Sequence, residues 1–118
     1  MTKQTYHGSC QCGAVDFTAQ LDLDSVVTCN CSRCQRLGSV LTFTPAADFT
    51  LNTGANQLTD YLFNKRVIVH QFCKVCGIET FGKGTAKDGS ATVAVNVNCL
   101  DGVDPRALKA HHYDGAAM

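Results

Sequence analysis

Seven of the eight cysteines in this 118-residue chain fall into three short clusters, and that spacing restricts the possible folds more than any other feature. The clusters are Cys10-Gln11-Cys12-Gly13, Cys29-Asn30-Cys31-Ser32-Arg33-Cys34 and Cys73-Lys74-Val75-Cys76-Gly77, while Cys99 stands apart. The opening Met1-Thr2-Lys3-Gln4-Thr5-Tyr6-His7 lacks the apolar stretch of a secretory signal. No apolar run approaches the roughly 20 residues of a membrane-spanning helix. A cytoplasmic, reducing location is therefore expected, and there clustered cysteines serve as metal ligands or redox groups more readily than as disulfides. Asn30-Cys31-Ser32 matches a glycosylation pattern, which has no meaning without secretion.

A cysteine pair followed by glycine suits a zinc turn. Both sulfurs reach one ion, backbone N–H groups can point at them, and glycine accepts the positive φ of a tight turn. Tetrahedral zinc needs four ligands, and structural sites are closed by four protein side chains. Cys10, Cys12, Cys73 and Cys76, two per turn, supply that number. Cys29, Cys31 and Cys34 remain, and three ligands leave a fourth position for water or a substrate atom, the construction of catalytic zinc sites. An alternative leaves both ions structural, with His7, His70, His111, His112 or Cys99 completing the second set. Cys99 itself reads as a core residue on the apolar face of a strand. His111 and His112 read as surface residues near a loose end.

The rest of the chain is patterned for strands. Val93, Val95, Val97 and Cys99 alternate with Thr92, Ala94, Asn96 and Asn98 across 91–99, the period of a half-buried strand. Val15, Phe17 and Ala19 alternate with Asp16 and Thr18, and Phe49 and Leu51 flank Thr50 before the turn residues Asn52-Thr53-Gly54. Segments 41–44, 58–63, 66–72 and 78–81 complete the set, each rich in β-branched or aromatic residues. Helical signals are confined to 32–37 and to 104–108, where Asp104 precedes Pro105. Gly82-Lys83-Gly84-Thr85 lacks phosphate-loop spacing and reads as a turn, and the tail 114–118 reads as frayed. One all-β domain over 1–118 is expected, with an apolar share of 45% sufficient for a core that zinc would staple.

Charge narrows the partners. Ten basic residues balance ten acidic ones, and neither sign forms a run, so neither nucleic acid nor an anionic membrane is indicated. A small molecule is the expected partner. Seven thiolates holding two zinc ions would carry the formal charge to about −3. Arg33, Arg36 and Lys74 are placed to screen thiolates or to recruit an anionic substrate.

The order Gly8-Ser9-Cys10-Gln11-Cys12-Gly13, then Cys29-x-Cys31-Ser32-x-Cys34, then Phe72-Cys73-x-x-Cys76-Gly77 resembles the glutathione-dependent formaldehyde-activating enzyme family, also called the GFA or CENP-V domain family. Gly38-Ser39, Gly54, Tyr61, Val95-Asn96-Val97 and Leu100-Asp101 extend the resemblance over nearly the whole chain. It implies an Mss4-like fold of folded antiparallel sheets held by zinc, with one or two short helical turns. It implies a structural zinc at Cys10, Cys12, Cys73 and Cys76, and a catalytic zinc at Cys29, Cys31 and Cys34. The implied activity is carbon–sulfur lyase chemistry on a thiol adduct of the S-hydroxymethylglutathione type. Asn30 stands where many relatives carry histidine, and the family's proline-tryptophan ending is missing. Two other functions fit the same cysteines: a zinc-structured binding module without catalysis, and a thiol redox or metal-buffering protein whose central cluster oxidises when emptied.

Overall fold

In the computed structural model, which describes residues 3–62 and 68–117, the alternating segments form ten strands and one helix. The strands are β1 (Gln4–Ser9), β2 (Asp16–Leu21), β3 (Val26–Cys29), β4 (Leu41–Pro45), β5 (Phe49–Thr53), β6 (Leu58–Tyr61), β7 (Val69–Cys73), β8 (Glu79–Thr85), β9 (Ala91–Asn96) and β10 (Ala110–Tyr113). The helix, α1, spans Ser32–Leu37. One sheet has the order β1-β2-β5, and a second has the order β10-β3-β4-β9-β8-β7-β6. All pairings are antiparallel except that of β10 with β3. The all-β expectation holds. Short 3₁₀ turns outnumber the α-helix, including Pro105–Ala107, which Asp104 caps by accepting the Arg106 N–H at 3.1 Å.

The core lies between the two sheets. Phe17, Ala19 and Leu21 project from β2 while Phe81, Val93 and Val95 come from β8 and β9, all buried. Phe49 on β5 bridges them, its ring centroid 5.3 Å from that of Phe17 and 4.6 Å from that of Phe81. Such aromatic pairs add about 0.5–1.5 kcal/mol each beyond the area they bury.

Several expectations change. The strand expected over 91–99 stops at Asn96, whose side chain accepts the Asn98 N–H at 3.1 Å and opens a 3₁₀ turn, Val97–Cys99. The apolar alternation outlives the strand because Val97 is still buried. Gly82-Lys83-Gly84-Thr85 is not a turn but the second half of β8, all four residues pairing with β9 and the first two also with β7. As far as it is described, the tail is tied down: Asp114 and Ala116 bond Asn30, and Gly115–Ala117 forms a 3₁₀ turn. Phe63 of the expected strand 58–63, and Arg66 and Val67 of 66–72, lie outside the described residues. Among the described residues no helix is long and apolar enough to cross a membrane.

Candidate metal centres

Two turns of the same design deliver four sulfurs to one point. Between β1 and β2 the chain reverses through residues 10–13, with the Gly13 N–H bonded to the Cys10 carbonyl at 3.2 Å. Between β7 and β8 it reverses through residues 73–77, with the Gly77 N–H bonded to the Cys73 carbonyl at 2.8 Å. Gly13 (φ 84°) and Gly77 (φ 82°) both take the left-handed conformation that the cysteine-glycine pattern anticipates. The Val15 N–H donates to Cys10 Sγ at 3.3 Å, and the Val75 N–H donates to Cys73 Sγ at 3.4 Å.

The sulfurs of Cys10, Cys12, Cys73 and Cys76 all lie within 4.8 Å of one another. Cys12 Sγ stands 3.6 Å from Cys10 Sγ and 3.7 Å from Cys73 Sγ. A zinc–sulfur bond of about 2.3 Å gives a tetrahedron with edges of about 3.8 Å, so this spacing fits a zinc ion. The four thiols do not share charge evenly. Burial works against ionisation of Cys76, yet the Cys12 and Ile78 N–H groups, with Cys10 and Cys73, bring it down to about 6. Cys12 goes the other way: the Ala14 N–H favours its thiolate, but desolvation and the crowding of Cys10, Cys73 and Cys76 push it up to about 11. A divalent cation supplies the charge that lets all four ionise together.

The second group is local in sequence. Cys29 ends β3, Cys31 caps α1 and Cys34 lies within it, and their three sulfurs also fall within 4.8 Å of one another. The Cys31 N–H donates to Cys29 Sγ at 3.4 Å and the Cys34 N–H to Cys31 Sγ at 3.3 Å. Burial opposes ionisation of Cys31, but these N–H groups and the neighbouring sulfurs lower it overall. Cys34 is pushed up to about 12 by burial and by Cys31 and Cys29, with the Ser39 hydroxyl alone pulling the other way. Ser39 is 4% exposed and its hydroxyl has no hydrogen-bond partner. A buried hydroxyl without a partner, near enough to Cys34 to favour its ionised form, suits a thiolate there. This group too could hold a metal ion, with one position left open.

Neither group includes a histidine. His7 lies between Asp16 and Asp101, His70 Nδ1 lies 3.1 Å from Glu79 Oε2, and His112 Nδ1 lies 2.9 Å from Thr28 Oγ1. His111 and His112 are exposed, as expected, but on a paired strand. Cys99 packs half-buried against the core, outside both groups, and burial pushes its thiol up to about 12.

The expected screening role of Arg33 is corrected by its partners. Its Nε and Nη2 donate to Glu79 Oε1 at 3.0 and 2.6 Å, and its guanidinium carbon lies 4.5 Å from the Tyr61 ring centroid. Glu79 is buried, so this pair locks α1 onto β8. Arg36 donates to the Ser32 carbonyl at 2.9 Å, one helical turn back. Ser32, Arg33, Arg36, Leu37 and Tyr61 line an open cleft of about 480 Å³. Glu79 carried no sequence signal, being one carboxylate among ten acidic residues.

Comparison with known proteins agrees with these features. A family model described as glutathione-dependent formaldehyde-activating enzyme matches residues 5–114. The crystal structure of a Rhodobacter sphaeroides protein is similar, with a TM-score of 0.81 at 34% sequence identity, the match covering 91% of this chain and 99% of that one.

Proposed function

This chain belongs to the glutathione-dependent formaldehyde-activating enzyme family, and from that premise we propose that it is a zinc-dependent carbon–sulfur lyase-type enzyme acting on a thiol adduct of formaldehyde. The observation that carries the reading is the inequality of the two sulfur groups. Four sulfurs complete a tetrahedron, and three leave a position for substrate. In this reading Cys10, Cys12, Cys73 and Cys76 hold a structural zinc, and Cys29, Cys31 and Cys34 hold the reactive one.

In the synthetic direction the thiol sulfur bonds to the carbonyl carbon, the carbon–oxygen double bond becomes single, and the thiol proton ends on that oxygen. Zinc with an open position supplies polarisation of the carbonyl oxygen or a site for the substrate thiolate. The protein's own groups prepare the site. The N–H groups of Cys31 and Cys34 stabilise negative charge on the Cys29 and Cys31 sulfurs. Asn30 carries no titratable proton, and its amide is taken up by Asp114 and Ala116. That side chain therefore does not carry the proton. The cleft beside α1 has the size of a small-molecule pocket and offers Arg36 to a carboxylate on the thiol.

Metal analysis together with NMR observation of adduct formation tests the proposal. Two zinc ions per chain and accelerated addition of glutathione or a smaller thiol to formaldehyde are expected. Cys31→Ser should retain one zinc and its sheet signal, while addition falls to the uncatalysed rate. Addition no faster than background in the two-zinc protein would sink the enzyme reading.

A further inference from the structure

Residues 113–116 lie directly against the three-cysteine group, tied there by the residue between two of its sulfurs. The parallel pairing of β10 with β3 sets Tyr113 opposite Cys29. The Asn30 N–H then donates to the Tyr113 carbonyl at 3.2 Å. Asn30 Nδ2 donates to Asp114 Oδ1 at 3.0 Å, and Asn30 Oδ1 accepts the Ala116 N–H at 2.9 Å. Both ends of one side-chain amide, and its backbone N–H, are thus spent on this segment. Gly115, between the anchored residues, sits so close that a Cβ there would stand 2.5 Å from Cys29 Sγ and 3.3 Å from Cys31 Cβ. Cys29 Sγ is itself held by the Cys31 N–H at 3.4 Å, so it is not free to swing aside.

We propose that residues 113–116 form a strap, with Asn30 and Gly115 as positioning residues, that fixes Cys29 and Cys31 and shields the Cys29 sulfur. The docked strap slows both loss of the ion and attack on the thiol. Outer-shell hydrogen bonds commonly set metal affinity within about 10–100-fold, and here they act on Asn30, between two ligands, rather than on a ligand's own polar atom. The metal-retention half rests on the zinc reading above. The shielding half does not.

Two rates separate these halves: zinc transfer to a chromogenic chelator from the zinc-loaded protein, and iodoacetamide modification of Cys29, followed by mass spectrometry, after the labile ion has been removed. Asn30→Ala and Gly115→Val should release the more labile zinc and expose Cys29 about 10–100-fold faster. The tighter zinc and the circular dichroism should be unchanged, which distinguishes strap loss from unfolding. If Gly115→Val does not fold, Asn30→Ala carries the test. The exchange Asn30→Asp with Asp114→Asn rebuilds the side-chain bond with its direction reversed and keeps an acceptor for the Ala116 N–H. It should restore both rates. Wild-type rates in Asn30→Ala, or no rescue by the exchange, overturn the strap. A wild-type protein that takes up a single zinc even with zinc in excess refutes the catalytic-site reading instead, and Cys29 modification then decides the strap alone.

Discussion

His7 faces a carboxylate from each of its ring nitrogens, Nε2 lying 2.6 Å from Asp16 Oδ2 and Nδ1 bonded to Asp101. Ionised carboxylates only accept, so both bonds form together only when the imidazole carries both protons. The Asp101 bond first, and the Asp16 bond second, raise the His7 pKa above its usual 6.5. Asp16 moves down from 3.8, through Asn52 first and His7 second, with desolvation opposing. The signs then follow. His7 stabilises the fold fully below pH 6.5 and loses that contribution as pH rises through its raised folded value. Asp16 contributes above pH 3.8 and is lost as pH falls through its lowered folded value. The difference in Tm between wild type and His7→Gln should therefore be greatest between these two limits and shrink as pH rises above 6.5. A gap that widens with rising pH would contradict the assignment.

The two cysteine turns are elements built from conformation as much as from sulfur. Nothing lies within 4 Å of where a Cβ would stand at Gly13 or Gly77, so alanine there meets no clash and suffers only the left-handed backbone. Gly13→Ala and Gly77→Ala should each lower unfolding free energy by about 1–2 kcal/mol in a urea titration, with zinc content unchanged. No loss of stability at either position would show that the turn relaxes out of its positive φ. These turns were legible because cysteine and glycine chemistry is local, and β2, β5 and β9 were legible because each turns alternate side chains inward, fully in β2 and β9 and partly in β5. Three strands escaped. β1 is polar and half exposed along Gln4–Ser9, and β10, Ala-His-His-Tyr, is exposed throughout. Such strands exist through their partners' hydrogen bonds, which leave no period in their own residues. β3 has only four residues and ends in the central cysteine cluster, whose metal pattern overrides its strand pattern. The site divided in the same way. Both sulfur sets could be read from spacing, whereas Glu79 on Arg33 and Gly115 on Cys29 are encounters between distant segments of ordinary composition.

Across the whole molecule the two sulfur groups do different mechanical work. Cys10 and Cys12 leave the small sheet after β1, and Cys73 and Cys76 lie in the turn between β7 and β8 of the large one. An ion there joins the two sheets across a separation of 61 residues between Cys12 and Cys73. Cys29, Cys31 and Cys34 span a single strand end and one short helix, so an ion there closes no long loop. Loop-closure entropy grows with the length enclosed, and the free energy of a structural zinc site is folding free energy. Three ligands also hold an exchangeable ion less firmly than four. A chelator titration followed by circular dichroism should then resolve two phases. The first zinc should leave with the sheet signal intact, and the second should leave together with cooperative loss of that signal. Asn30→Ala should accelerate the first phase alone, because the strap touches only the local group. Sheet loss accompanying the first zinc, or release of both ions in one phase, would mean that the two groups share the structural burden.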